Sequence, residues 1–393
     1  MKVGKVSESV LKRSVLRQIG SGNKEAADGA GPGKDCAVFT LSGDLCEPVT
    51  VSGAAYGLAS CVQEGILVSC AGEKTAPMER LIQKCANNLA AGGFGMAWVM
   101  IALILPEEAQ EEELKGLMRQ AGKKCTELGA RIAGGQTRVS DAVREPVAAI
   151  TGYGLPFAGK DSEGDVFEKG GEEALTETEG PPGAGGGSAA AAPGRAVAAE
   201  RQGVTPGRTK AAERPGAAAG QDVVVSKWIG LEGTARLAER NREKLLARYP
   251  AGLVEEAAGF DRWLSVIPEA ATAVKSGVCA MHDASEGGIF GALWELAERA
   301  GVGLTIDLKK LPLRQETVEV CECCNINPYE LLSGGCLVMT AWDGPELAAA
   351  LAAEGIPATV VGKVTDSRDR ILRNEDEVRY LERPRQDEIY RPG

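Results

Sequence analysis

The chain has 393 residues, 44% of them hydrophobic, and a formal net charge of -11. That length accommodates two ordinary domains with cores of their own, and the acidic balance argues against a broad basic surface for nucleic acid or anionic lipid. The start, MKVGKVSESVLKRSVL, lacks the apolar core and small-residue cleavage site of a secretory signal, so a cytoplasmic protein that handles small molecules and binds neither nucleic acid nor membrane is expected.

In chain order, apolar periodicity predicts a helix around residues 8–18, strands at 36–41 and 49–52, and a helix at 77–89. The most apolar stretch, AWVMIALIL at 97–105, is far shorter than the roughly 20 residues a membrane helix needs and reads as a buried strand. A charged helix over 107–128 and a strand at 147–153 complete a first unit of α+β character, residues 1–157. From 158 to 221 the composition changes to GGEEALTETEG and then GPPGAGGGSAAAAPGRAVAAE. Few large apolar residues are left there to offset the entropy of ordering, and the segment reads as a flexible insertion.

The second unit, 222–393, alternates more regularly. Strands are predicted at 223–226, 278–281, 304–307, 336–340 and 358–364, and helices at 231–247, 262–275, 286–299, 315–324 and 345–353. The whole reads as an α/β protein of two layered domains. The 11 cysteines are scattered and odd in number, unlike a secreted disulfide scaffold, and are expected to be reduced and mostly buried. Cys321 and Cys324 form one C-x-x-C with Cys323 inside it. No second pair or histidine stands nearby, so small side chains on a helix are preferred over structural zinc.

The stretch AMHDASEGGIFGALWELA, residues 280–297, holds the chain's one histidine. Asp283 followed by Glu286 fits a capping box, and Ile289, Leu293, Leu296 and Ala300 fall on one helical face. A cap does not explain Gly287 and Gly288, two glycines in a first turn where each is about 1 kcal/mol worse than alanine. They imply that something approaches the backbone closely, and a phosphate at a helix N-terminus is one such thing.

HDASEGGI, between a predicted strand and an amphipathic helix, resembles the H-D-x-[ST]-E-G-G signature of the PurM (AIR synthase) superfamily. That superfamily includes aminoimidazole ribonucleotide synthetase, selenophosphate synthetase, thiamine monophosphate kinase and the hydrogenase maturation factor HypE. GPGKDCAVF (31–39), KCANNLAAGG (84–93) and IAGGQTRVS (132–140) resemble its N-terminal segments in order. VVVSKWIGLEGTARLA (223–238), INPYELLSGGCLVMT (326–340) and PRQDEIY (384–390) resemble the HypE-like, AIR synthase-related branch.

The resemblance implies a homodimer joined through strands of its N-terminal domain, with ATP and Mg2+ in a cleft between domains. ATP would phosphorylate an oxygen of an unidentified small-molecule or protein acceptor, either as phosphoryl transfer or to drive dehydration. It assigns nucleotide contacts to Lys34, Asp35, Asn88, Gly134, Gly135, Gln136 and Thr137, with Asp35 also the metal ligand. Catalytic or substrate contacts fall to His282, Asp283 and Glu286, and a phosphate loop to Ser285, Gly287, Gly288 and Ser333.

Each position has a structural alternative. Asp35 could cap a turn, Lys34 could be an exposed surface lysine, Asn88 and Gln136 could serve buried hydrogen bonds, and Thr137 could sit on a strand edge. His282 could be satisfied by backbone, and Ser333 with Gly334 and Gly335 could form an ordinary turn. Lys227 and Trp228 read as domain packing.

Three departures stand out. Asn88 occupies an acidic position of the family pattern, Gln136 replaces an acid or histidine, and VTVSGAAYG lacks the acid expected after the second strand. Amides bring no charge, so a metal site built from them is weaker. The chain also ends EIYRPG, without the terminal cysteine that carries the carbamoyl group in HypE proteins. Two alternatives therefore stand beside an ATP-dependent enzyme: a nucleotide-binding or scaffold protein without catalysis, and a small-molecule kinase of the thiamine monophosphate kinase type.

Overall fold

A computed structural model describes residues 26–28, 37–41, 56–67, 76–157, 214–384 and 386–391. The helix expected at 8–18, the strand at 49–52, Lys34, Asp35 and the insertion up to residue 213 lie outside the described residues.

The first unit contains β1 (Ala26–Asp28), β2 (Ala37–Leu41), β3 (Tyr56–Ile66), α1 (Pro77–Ala91), β4 (Phe94–Leu105), α2 (Glu111–Glu127), β5 (Arg131–Val139) and β6 (Val147–Pro156). Its sheet runs β1-β2-β3-β6-β4-β5, antiparallel except for the parallel pair β4–β5. Pro77 and Glu79 open α1 as expected of a first turn. Met78, Ile82, Cys85 and Leu89 of α1, with Leu117, Ala121 and Cys125 of α2, close over one face of the sheet.

The other face of that sheet is open. In β4 Phe94, Val99, Ile101, Leu103 and Leu105 are buried, whereas Trp98, Met100 and Ile104 are exposed. The stretch expected to be a fully buried strand is thus buried on one face only. β3 inverts the usual pattern, because its inward positions are the small Ala59, Cys61 and Gly65 while Val62 and Ile66 point outward. Small residues are required inside because α1 packs directly there, with Leu81 3.3 Å from where a Cβ on Gly65 would stand.

The second unit contains β7 (Asp222–Ser226), α3 (Leu231–Arg240), α4 (Arg242–Leu246), α5 (Ala251–Ala258), a 3-10 turn (Gly259–Trp263), α6 (Ile267–Lys275), β8 (Ala280–Ala284) and α7 (Gly288–Ala300). It continues with β9 (Gly303–Asp307), α8 (Gln315–Cys324), β10 (Cys336–Ala341), α9 (Gly344–Ala353), β11 (Ala358–Thr365), β12 (Arg370–Asn374) and β13 (Glu377–Tyr380). Its sheet order is β13-β12-β9-β11-β7-β10-β8. The interior strand β7 is buried at all five residues, with Val223, Val224 and Val225 as its apolar run between two layers. Ile289, Leu293 and Leu296 of α7 cover one face, while Ala270 and Ala273 of α6 and Leu347 and Leu351 of α9 cover the other.

Several boundaries differ from the sequence reading for physical reasons. The helix expected at 231–247 breaks at Asn241, whose Nδ2 donates to the Leu237 carbonyl at 3.0 Å. The helix expected at 262–275 is a 3-10 turn followed by α6, because Pro268 fits only a first turn. The strand expected at 278–281 is β8 at 280–284, so His282 and Asp283 lie within it rather than after it. Residues 214–221, assigned by composition to the flexible insertion, are packed: Gly216 and Gly220 donate backbone N–H groups to Cys279 and Val364, and Gln221 is buried. No described helix is long and apolar enough to cross a membrane. All eight described cysteines are free thiols, six of them buried, and Cys323 and Cys324 are half-buried against the α3–α5 cluster.

Candidate functional site at the interdomain joint

Helix α1 belongs to the first unit but also packs on the second. Its Ala90 and Ala91 join the apolar cluster of α6, α9 and the underside of the second sheet. Polar contacts fasten the same helix. Lys84 stands 3.2 Å from Glu232 at the start of α3, a carboxylate only 1% exposed, with Arg236 at 3.8 Å. Arg214 donates to the carbonyls of Ala91 and Gly92 at 3.1 and 2.6 Å.

The segment 263–266 is held from both sides. Asn87 of α1, buried, donates through Nδ2 to the Leu264 carbonyl at 2.7 Å and accepts the Val266 N–H on Oδ1 at 3.1 Å. Lys227, at the end of β7, donates through Nζ to the carbonyls of Trp263 at 2.9 Å and Ser265 at 2.6 Å, and pairs with the buried Glu269. Lys227 takes φ of +51°, a left-handed conformation that a side chain adopts only where its surroundings compensate the strain. Trp228, Phe260 and Trp263 pack beside this segment around the guanidinium of Arg314, whose centre lies 5.1–5.6 Å from the three rings. The domain-packing role read for Lys227 and Trp228 matches these contacts.

The histidine loop is divided by the strand that carries it. Consecutive strand residues point to opposite faces. His282 reaches Glu295 of α7, Nε2 to Oε2 3.1 Å, and is buried in that layer. Asp283 therefore shares the face of Met281, where α1 packs. With Lys227 and Glu269, Asp283 is one of the charges around the fully buried Cys336, whose thiol pKa burial drives upward. Glu286 lies beyond the strand and accepts from the Tyr390 hydroxyl at 2.9 Å. His282 and Asp283 thus face opposite layers, and Glu286 lies beyond the strand.

The two glycines owe their presence to the protein itself. Gly287 is the N-cap of α7 at φ +86°, with Gly288 following at φ +63°. A Cβ on Gly288 would stand 2.5 Å from the Tyr329 carbonyl oxygen, so the loop 329–331 makes the close approach for which a ligand is one explanation. The capping box expected from Asp283 and Glu286 does not form. Instead Asp387, from the C-terminal segment, accepts the Gly287 N–H at 2.7 Å, together with those of Leu332 at 3.2 Å and Ile389 at 2.8 Å. Burial raises the Asp387 pKa to about 6, although its three amide donors favour the charged form. The Ser285 carbonyl accepts the N–H groups of Gly288 and Ser333 at 3.1 and 3.2 Å.

Ser333 is buried inside the second unit, where it donates to the Leu331 carbonyl at 2.8 Å and accepts the Gly230 N–H at 2.9 Å. Gly334 faces the Glu232 carboxylate and Gly335 the Trp263 carbonyl, with 2.3 and 2.5 Å left for any Cβ. Gly134, Gly135, Gln136 and Thr137 lie on β5, the exposed edge strand of the first sheet. Gly135 is required there because a Cβ would collide with the Ile101 carbonyl of β4 at 1.8 Å. Asn88 is half-buried on α1, one turn beyond Lys84 on the stripe that faces Glu232. Among the described residues, β5 and the 285–288 loop share no hydrogen-bonding partner.

The sequence reading passed over Asn87, Lys84, Glu232 and Asp387. A signal existed for Asn87: with Gln83 it forms a polar i,i+4 pair among the mostly apolar buried residues of the helix.

Comparison with known proteins agrees with this architecture. The family profile described as AIR synthase related protein, N-terminal domain, matches residues 33–155, and its C-terminal counterpart matches 218–373. The chain is 29% identical over 282 residues to carbamoyl dehydratase HypE of Rhodobacter capsulatus, covering 70% of this chain and 66% of that protein. It therefore spans just under two thirds of that relative. It is 21% identical over 345 residues to a putative hydrogenase expression/formation protein of Methanocaldococcus jannaschii, covering 86% and 79% of the two chains. Among solved structures, hydrogenase maturation protein HypE in complex with ATP superposes with a TM-score of 0.61 at 16% identity, covering 98% of this chain and 97% of that one. With two profiles of one family placed in order along most of its length, and HypE proteins similar in both sequence and fold, the chain belongs to the AIR synthase related proteins of the PurM superfamily, on their HypE-like branch.

Proposed function

We propose that the protein binds ATP at the joint between its two units and uses it in phosphoryl transfer or ATP-driven dehydration of an acceptor yet to be identified. The observation that carries this reading is the packing of α1, which bears Lys84 and Asn88, against the second unit on the Met281 side of β8, in a fold shared with HypE bound to ATP and with thiamine monophosphate kinase bound to a nucleotide analogue. A polyphosphate needs cationic and amide donors around it and water kept away. In this reading Lys34, Asn88 and Thr137 contribute donors, and Asp35 would hold the cation that balances the terminal phosphate. Asp283, buried on the α1 side of β8, acts on the acceptor, whereas His282 supports the layer behind β8. Glu286 and the 285–288 and 333 turns shape the wall.

Asp35, the residue assigned to Mg2+, lies outside the described residues. No group of three or more histidine, cysteine or acidic side chains gathers among the described residues, and the amides of Asn88 and Gln136 bring no charge. No step is derived through the metal.

A second reading, a nucleotide-binding or scaffold protein without catalysis, is favoured by Asp387, which already holds the Gly287 N–H that a phosphate would otherwise take. Calorimetric titration with ATP, with and without Mg2+, separates the two. Mg2+-strengthened binding with turnover that collapses in Asp35→Ala supports the enzyme. Mg2+-independent binding without turnover, or no binding at all, supports the second reading.

The open face of the first sheet is proposed as the surface that meets a second copy. Val62 and Met100 flank Thr151 there, and Ile66 and Ile104 flank Val147, leaving an apolar ladder exposed. Sedimentation of a dimer that Met100→Asp converts to monomer would support this.

A further inference from the structure

Asn87 works where neither a carboxylate nor an apolar residue could. The Leu264 carbonyl can only accept and the Val266 N–H can only donate, so the orientation of the carboxamide between them is determined. Gln83, one turn earlier, donates to the same Oδ1 at 2.9 Å and holds it in place. The side chain thereby supplies the donor and acceptor that a neighbouring strand would offer to residues 264–266. The polar groups of this segment divide by side: the carbonyls of Trp263 and Ser265 go to Lys227 of the second unit, and the Leu264 carbonyl and Val266 N–H go to Asn87 of the first. Lys227 is in turn tied to Glu269. Asn87 and Lys227 thus grip one four-residue segment from opposite sides.

We propose that Asn87 is the positioning residue of the interdomain cleft, coupling α1 to the Lys227–Glu269 pair through residues 263–266, so that the two units move and unfold as one. Its functional consequence rests on the nucleotide reading above; its mechanical consequence does not. Asn87→Asp is the same size and still accepts from Val266, but it cannot donate to Leu264 and sets an anion against that carbonyl.

The test uses the full-length chain and compares wild type with Asn87→Asp in three measurements: thermal unfolding, amide hydrogen exchange across 263–267, and ATP affinity. The expected result is a single unfolding transition in wild type that splits into two in the variant. Exchange across 263–267 should accelerate about tenfold, the equivalent of about 1.4 kcal/mol, and ATP affinity should fall at least tenfold while far-ultraviolet dichroism is unchanged. A single transition, unaltered exchange and ATP affinity within twofold of wild type would overturn the proposal. If wild type itself binds no ATP, the nucleotide reading fails, and the coupling is judged on unfolding and exchange alone. Should Asn87→Asp not fold, Asn87→Ser, too short to span both partners, is read in the same way.

Discussion

The carboxylate of Asp387 accepts the backbone N–H of Gly287 at 2.7 Å, tying two positions 100 residues apart in the chain. Burial, reinforced by nearby Glu286, raises this acid from 3.8 to about 6 against the pull of its amide donors. A folded-state pKa above the unfolded value means a stabilising contribution that is full below pH ~4 and lost as pH rises through about 6. Relative to Asp387→Asn, wild type should therefore gain on the order of 3 kcal/mol between pH 7 and pH 4. Urea unfolding of both proteins across that range checks this, and parallel stability curves would contradict it.

Gly288 and Gly287 should respond differently to alanine. At Gly288 the new Cβ meets the Tyr329 carbonyl oxygen at 2.5 Å and flanking backbone at 2.8 Å, so Gly288→Ala should cost about 2 kcal/mol or more through overpacking. At Gly287 the nearest atom is 3.5 Å away, leaving chiefly the positive-φ cost of about 1–2 kcal/mol. Denaturation midpoints of equal size would contradict this account of the pair.

Lys84 neutralises a carboxylate that is almost wholly buried. Lys84→Met leaves Glu232 with Arg236 at 3.8 Å as its remaining ionic partner, and should destabilise by about 3 kcal/mol. Adding Glu232→Gln should recover much of that loss, because the stranded charge is gone. A double-mutant cycle in guanidinium measures the coupling, and simple additivity would contradict it.

His282 and Asp283 are neighbours in sequence but lie in different layers. His282→Asn should lower stability by about 1–2 kcal/mol through the lost bond to Glu295, with its main effect on unfolding. Asp283→Asn, on the α1 side of β8, should act mainly on nucleotide turnover. The ratio of the two effects in paired unfolding and ATPase assays tests the division, and a larger turnover loss in the histidine variant would reverse it.

Much of the second unit was legible from periodicity. The helix at 315–324 agrees residue for residue, and the strands near 223–226, 336–340 and 358–364 agree within a residue or two. The strand β3 was not legible, because its inward positions are alanine, cysteine and glycine and its apolar residues face outward. β5 was hidden by its glycines, and β12 and β13 by charged and exposed side chains. At the candidate site, residue types did not disclose the partners. The glycine pair does mark a close approach, but by loop 329–331, and the helix cap comes from the far end of the chain. Such long-range contacts leave no local pattern to read.

The clasp made by Asp387 also sets an order of events during synthesis. β7, β8, β10 and β11 have all been translated before residue 387, so the second sheet can pair while the amides of Gly287 and Leu332 still lack their acceptor. A nascent or truncated chain ending shortly after β13 would bury those donors unmet, at about 1–3 kcal/mol each. The segment that carries Asp387 thus decides whether the turns at Gly287 and Leu332 are closed or left with buried donors that have no acceptor.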